Sequence, residues 1–503
     1  MWVISFLLSI LVIFILTCVL YIKWSQNYWA RKKIPYIKPT SLWGNIENPF
    51  KQKLGVKLSA KEAYMQFKRQ GVPHGGIYKI AEPVYMPINP ELIKSILAKD
   101  FSYFNGHGFP HDAKKDPLSA HLFNLDGDSW RNTRIKLTPV FTSGKMKTMF
   151  NTVLDCGKPL TQHINAELGK NKSLNIHEII SFYTIDTIGS CVFGVECNSF
   201  KDPNAEFKKF GHQVIKVSPR NKIYNFIKFV APTIGKFIHV RRVSLEMERF
   251  VINMIQGVFD YRKSAKIVRK DFIQLFMELE KKAKANKEDS FTIQEIAAQA
   301  YIFIVGGFET AATTMTFLLH ELAYNQEIQE KLRNEIRETL RSGNGSLTYD
   351  GMTEMKYMDQ VVNETLRKYP PLAFLNRICT KDYKVPNTDV TINKGTPILI
   401  SSMGLHHDSE YYPNPEKFDP GRFIKEKKKY RPSFTFIPFG EGPRICIGQR
   451  FGLMQIKIAI FLLLNDFKFL PSDQSNYKLI FEPTSVVLGT KEVVKLNIVK
   501  LNH

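Results

Sequence analysis

The sequence predicts a mainly α-helical protein with a small β region, preceded by one transmembrane helix at the N-terminus. Three observations carry this expectation. Apolar residues recur every three or four positions through most of the chain after residue 110. Strand-like runs are few and short. Trp2 to Ile22 runs 21 residues without a charge.

That first run, taken as a helix, extends about 31 Å, enough to cross the hydrocarbon core of a bilayer. A cleaved secretory signal fits it less well: no positive segment precedes it, the apolar run is too long, and no small-x-small cleavage site follows. Residues 1–22 are therefore expected to be a transmembrane anchor. Lys23, Arg31, Lys32 and Lys33 follow directly, which places the C-terminal side in the cytosol by the positive-inside rule. Trp24, Tyr28 and Trp29 fit an interfacial aromatic belt, and Pro35 and Pro39 stiffen a basic, proline-bearing linker over residues 23–45. No Gly/Ser-rich or Pro-rich break divides residues 46–503, so one large domain is expected there.

Composition narrows the function classes. The six cysteines, Cys18, Cys156, Cys191, Cys197, Cys379 and Cys446, show no C-x-x-C spacing or zinc pattern, consistent with a reduced, cytosol-facing domain. Seventy Lys and Arg against 47 Asp and Glu give a net charge of +23. The basic residues are scattered among apolar helices rather than set as a stripe with stacking aromatics, so no nucleic-acid partner is expected. Two readings of the excess remain: a merely soluble basic surface, or attraction to membrane lipids with anionic headgroups and to an acidic partner protein.

Helices are expected over Lys145–Leu168, Glu206–Val217, Val243–Ala265, Lys270–Ala285 and Gln360–Lys368. Strands are expected at Ile77–Ile80, Pro83–Ile88, Val390–Ile392, Thr396–Ile400 and Val493–Val499. The segment Asn221–Val240 mixes apolar and basic residues and reads as a surface helix pair or a membrane-dipping element. The longest helix begins at the capping-box spacing Thr292-Ile-Gln-Glu295 and runs to about Ile336, with a break expected near Tyr324-Asn325. Its middle, Gly306-Gly307-Phe308-Glu309-Thr310, is costly: each glycine loses roughly 1 kcal/mol against alanine, and the uncharged surroundings penalise Glu309. A local bulge at the glycines would open a groove for a small ligand, with Thr310 as hydrogen-bond donor and Glu309 as proton relay. The alternative is close helix packing at the glycines, with Thr310 bonded to its own i−4 carbonyl.

The most informative stretch is Phe439-Gly-Glu-Gly-Pro-Arg-Ile-Cys-Ile-Gly448. A lone cysteine is most often a small buried hydrophobe. Here Cys446 stands between glycine-bearing turns and just before the apolar run Phe451–Leu464, where a helix dipole and free N–H groups favour a thiolate. The complete pattern F-x-x-G-x-R-x-C-x-G resembles the haem-binding loop of the cytochromes P450, whose cysteine is the proximal iron ligand. The resemblance extends in order along the chain. Gly306–Thr310 resembles that family's oxygen-activation motif, with Ala311 where Thr or Ser is frequent. Glu364-Thr-Leu-Arg367 resembles its E-x-x-R motif, and Pro420-Gly421-Arg422-Phe423 its P-E-R-F element with glycine for glutamate. Trp130-Arg-Asn-Thr-Arg134 resembles the W-x-x-x-R helix motif.

The resemblance implies a cytochrome P450 fold binding haem b (iron protoporphyrin IX), with Cys446 on the metal and Thr310 and Glu309 delivering protons. Trp130, Arg134, Arg377 and Arg444 would meet the haem propionates; His107 stands where many relatives carry an arginine. Glu364, Arg367 and Arg422 would lock the segment that carries the cysteine loop. The substrate-facing regions would be Phe104–Leu122, parts of 206–240, Phe303–Phe308, Ala373–Leu375 and Ser485–Leu488. Finer phrases, Pro117-Leu-Ser-Ala-His-Leu-Phe and Phe141-Thr-Ser-Gly-Lys-Met among them, are similar to the insect microsomal branch known as family 6. The implied activity is a monooxygenase of the endoplasmic reticulum membrane, facing the cytosol and acting on a lipophilic xenobiotic or endogenous lipid. NADPH-cytochrome P450 reductase would supply electrons, with cytochrome b5 as a second donor. Two other classes stay open on sequence alone: an isomerase or dehydratase of lipid peroxides, and a non-catalytic haem-binding membrane protein.

Overall fold

The apolar N-terminal run forms a continuous, largely exposed helix, α1 (Trp2–Ser25), in a computed structural model that describes residues 2–45, 55–170, 173–202, 241–269, 271–287, 290–483 and 485–502. The expected helix Glu206–Val217 and the segment Asn221–Val240 lie outside the described residues. The last turn of α1 is seated on the domain. Ile22 packs with Ile80, Ala81 and Trp43, and the Ser25 hydroxyl donates to the Ala81 carbonyl. The Gln26 amide nitrogen donates to the carbonyls of Ser41, Leu42 and Ile80 at 3.2, 3.3 and 3.1 Å.

This corrects one expectation. Trp29 is not part of an interfacial belt: it is 1% exposed, and its indole donates to the Ile77 carbonyl at 3.1 Å. A buried indole needs such a partner, which the adjacent sheet supplies. Trp24 is 62% exposed, as a residue facing lipid or water would be.

Helix α2 (Gly55–Arg69) lays Tyr64 and Phe67 against a four-stranded sheet. Its strands are β1 (His74–Lys79) and β2 (Glu82–Pro87), an antiparallel hairpin with Ile77 opposite Val84. The sheet is completed from far downstream, as described below. Helices α3 (Gly127–Leu137) and α4 (Ser143–Glu167) follow. The short strand β3 (Leu174–Asn175) leads into α5 (Ile176–Ile188). Helices α6 (Leu245–Ala265) and α7 (Phe272–Asn286) lie within two residues of their expected bounds.

The long helix is capped as the sequence predicts: Glu295 N–H donates to Thr292 Oγ1 (3.2 Å) and Thr292 N–H to Glu295 Oε2 (2.8 Å). It is broken twice. α8 (Ile293–Gly307) stops at Phe308, whose ψ of −77° departs from the helical value, and α9 (Glu309–Tyr324) resumes directly. Asn325 (φ −120°, ψ 73°) separates α9 from α10 (Gln326–Ser342). Helix α11 (Lys356–Lys368) precedes β4 (Leu375–Ile378) and β5 (Pro397–Ile400). β5 pairs parallel with β2 and antiparallel with β4, giving the order β1-β2-β5-β4. Helix α12 (Gln449–Asp466) runs into β6 (Phe467–Pro471), which pairs with β7 (Lys495–Lys500) and through it with β3. The main core gathers side chains of α4, α5, α9 and α12, with α9 buried on nearly every side.

One ion network holds the downstream half together. Glu364 and Arg367 of α11 are fully buried and joined by two hydrogen bonds of 2.7 and 2.8 Å. Arg422 Nε lies 3.4 Å from the same carboxylate, and the Asp419 N–H donates to it at 2.8 Å. The glycine at Gly421 costs the network nothing, since Arg422 is the member it uses. Removing one partner of such a cluster strands a buried charge. Glu364→Ala is accordingly expected to lower unfolding stability by about 3–5 kcal/mol. Glu91→Ala, which breaks the exposed pair with Lys94, should stay within about 1 kcal/mol of the parent. Denaturant titration of both variants checks the contrast.

Candidate active site

The cysteine loop is shaped by two left-handed glycines. Gly440 and Gly442 have φ of +72° and +74°. At Gly442 a Cβ would lie 1.9 Å from the Leu97 carbonyl oxygen, so glycine is required there twice over. The Cys446 N–H closes the loop by donating to the Phe439 carbonyl at 2.9 Å. Cys446 stands three residues before α12, and the surface it exposes belongs to a large internal cavity.

Burial pushes the Cys446 thiol above its ordinary pKa, while the Gly448 N–H and the charge of Arg134 pull it down. The position before a helix therefore does not by itself make Cys446 a thiolate. Burial wins until a cation arrives, and a metal ion bound at sulfur would deprotonate it outright.

Around the sulfur stands a wall of guanidinium groups. Arg134 and Trp130 of α3, Arg377 of β4, and Arg444 all line the cavity, as does His107. Burial lowers all three arginines, Arg377 to about 10 and Arg444 to about 9. Their partners differ. Arg444 stacks over Trp130 at 4.4 Å and donates to the carbonyls of Asn105 (2.8 Å), Phe123 (3.4 Å) and Leu125 (2.6 Å) and to Asp126 (3.3 Å). Most of its donors are thus spent on protein, and its first task is tying the cysteine loop to residues 105–126. Arg377 donates only to its neighbour's carbonyl, Asn376 O, and its buried Nε has no partner among the described residues. Neither Arg377 nor Arg134 has an ion pair with a described acidic residue. His107 bonds the Phe123 carbonyl through Nδ1 (2.8 Å), and burial, then Arg377 and Arg444, hold it well below the usual histidine range. An internal wall with this much unpaired positive charge calls for an anionic occupant with more than one acceptor.

Across the cavity lies the break between α8 and α9. Gly306, Gly307, Thr310 and Ala311 line it. The two glycines serve different ends. A Cβ at Gly307 would come within 2.9 Å of Ile188 on α5, whereas one at Gly306 would meet nothing within 4 Å. Gly307 permits close helix packing, and Gly306 leaves the cavity open. Thr310 Oγ1 donates to the Gly306 carbonyl at 2.5 Å. Both sequence-level readings thus hold in part: the groove exists, and the hydroxyl is bonded to its i−4 carbonyl. Glu309 does not line the cavity; its Oε1 lies 3.2 Å from His177 Nε2.

The remaining walls are apolar: Leu122, Phe123, Ile302, Phe303, Leu372 and Leu375. Ser485–Leu488 does not reach the cavity. Leu488 is buried with Phe317 and Tyr369, and Val486 is 75% exposed. The sequence reading missed Asp126, whose carboxylate receives both the His107 N–H and Arg444. No local signal marks it.

Comparison with known proteins matches residues 39–496 to the family model described as Cytochrome P450. Among curated relatives, the chain is 38% identical to "Probable cytochrome P450 6a23" of Drosophila melanogaster, over 99% of this chain and 100% of that protein. It is 39% identical to "Probable cytochrome P450 6a13" of the same fly (97% and 98% covered). To "Cytochrome P450 6k1" of Blattella germanica it is 37% identical (98% and 97% covered).

Because Arg377 is buried without a counter-charge, Arg377→Met should leave the unfolding midpoint of the haem-free chain unchanged or raised. Haem retention should fall about 10- to 100-fold, the worth of a charge-assisted hydrogen bond. Spectral titration with haem and thermal unfolding of the same variant separate the two effects.

Proposed function

Since the chain belongs to the cytochrome P450 family, and so binds haem as a monooxygenase-type oxidoreductase, we propose that it oxidises a lipophilic substrate at the cavity described above. Electrons would come from NADPH through a membrane-bound flavoprotein reductase, with cytochrome b5 as an accessory donor. The observation that carries this reading is the pairing, across one cavity, of a buried thiol among unpaired arginines with a glycine-opened helix break. The residues present fit the prosthetic group: a soft anionic ligand at Cys446 Sγ, and cations at Arg134 and Arg377 for its carboxylates.

Haem, when bound, supplies the electron transfer to dioxygen and the oxygen insertion. The chain supplies everything else. Cys446 Sγ would hold the iron, and the Cys446 N–H bond to the Phe439 carbonyl fixes the loop that carries that sulfur. Arg134 and Arg377 would hold its propionates, while Arg444, stacked over Trp130, ties the cysteine loop to residues 105–126. Thr310 holds a hydroxyl proton at the cavity wall, at the Gly306 carbonyl, from which it can be turned toward a bound ligand. Glu309 serves as the acid behind it. Leu122, Phe123, Phe303 and Leu375 exclude water and favour an apolar guest. The exposed helix α1 supports a membrane address, which we assign to the endoplasmic reticulum with the domain in the cytosol.

Two variants test the assignment. Cys446→Ala should abolish the thiolate-type absorbance of the reduced carbon monoxide complex; a surviving band means that another group holds the iron. Thr310→Ala should keep that band, while product formed per NADPH falls about 10-fold or more and peroxide rises. Product analysis with purified reductase over a panel of lipophilic compounds reads both quantities.

A further inference from the structure

The two neighbours Glu309 and Thr310 are sent in different directions by the helix break. Thr310 faces the cavity, while Glu309 turns toward the first turn of α5 and meets His177 there. The pair spans a boundary: the His177 side chain is 40% exposed and that of Glu309 only 12%. Glu309 Oε1 lies 3.2 Å from His177 Nε2, and Oε2 is buried with no hydrogen-bond partner among the described residues. As a stability device this arrangement is poor. A half-exposed ion pair contributes little, and a buried carboxylate oxygen left unbonded is unfavourable. As a conduit it is well made, because an imidazole can receive a proton at one nitrogen and release one at the other.

We propose that His177 is the surface port through which solvent protons reach Glu309. The proposal rests on the reading above that Glu309 serves as proton source for the cavity. In the step, His177 Nδ1 takes a proton from solvent, and the Nε2–H bond breaks as its proton passes to Glu309 Oε1. One proton enters, one leaves, and no electrons move. Rotation of the carboxyl group then carries that proton from His177 toward Thr310, its release there returns Glu309 to carboxylate, and exchange with solvent restores the Nε2–H form of His177. His177 acts through Glu309 and is a positioning residue; it touches neither substrate nor cofactor.

The test uses the full chain with haem, reductase and NADPH in bilayer discs. His177→Ala and His177→Gln should each lower product per NADPH severalfold, raise peroxide, and enlarge the solvent deuterium isotope effect. Neither should worsen Glu309→Gln when combined with it. Glutamine keeps a donor for the carboxylate and cannot relay, so a His177→Gln variant that behaves as the parent overturns the proposal. A second readout needs no turnover: the infrared carboxylate band lost in Glu309→Gln should shift in His177→Ala, and an unmoved band also overturns it. If Glu309→Gln uncouples turnover but the His177 variants do not, only the port falls. If Glu309→Gln itself leaves coupling unchanged, the reading of Glu309 falls and takes the port with it.

Discussion

The buried carboxylate of Glu364 is the point from which the cysteine's position can be traced. Arg367, bound to it, also donates to the His406 carbonyl at 3.0 Å. The His406 ring in turn accepts the Ile437 N–H at 2.9 Å through Nε2. The Ile437 carbonyl accepts the Gly440 N–H, and Phe439 holds the N–H of Cys446. A single series of short bonds therefore runs from a charge cluster in α11 to the loop that carries the Cys446 sulfur. His406 can serve as a link because burial holds it neutral, with a pKa near 3, so Nε2 keeps its lone pair.

The opposite wall is made in a different way. It relies on what is missing: a side chain at Gly306, and regular helical geometry at Phe308. The wall that carries the cysteine is stiffened by hydrogen bonds and the facing wall is opened by a break, and the cavity is the space between the two. Arg444 joins the stiff wall to residues 105–126, so the rim near His107 and Phe123 is held by the same loop that carries the cysteine.

Much of this was legible in the sequence, and the reasons are local. The capping box at Thr292, the glycines before Glu309 and the glycines around Cys446 each announce a backbone feature through residue type and spacing. Glu364 and Arg367 read correctly because three residues on a helix bring two side chains together. What escaped depends on partners far along the chain. Trp29 looks like an interfacial aromatic until Ile77, 48 residues on, offers its carbonyl. Lys368 carries no role in the sequence reading, yet it is buried on Glu321, 47 residues earlier, at 2.7 Å. The motif Glu309-Thr310 reads as a pair, but one helical step separates their directions, and only α5 shows where the carboxylate goes.

The seating of the N-terminal helix has a mechanical consequence. Ser25 and Gln26 fasten its last turn to the β1–β2 turn and to residues 41–42 by four carbonyl bonds. A domain on a slack tether takes up any attitude above a bilayer. Here helix and domain form a single lever. In lipid, the tilt that matches the helix to hydrocarbon thickness would be passed to the domain as rotation. The thickness of the host membrane would then help to set which face of the domain looks into it.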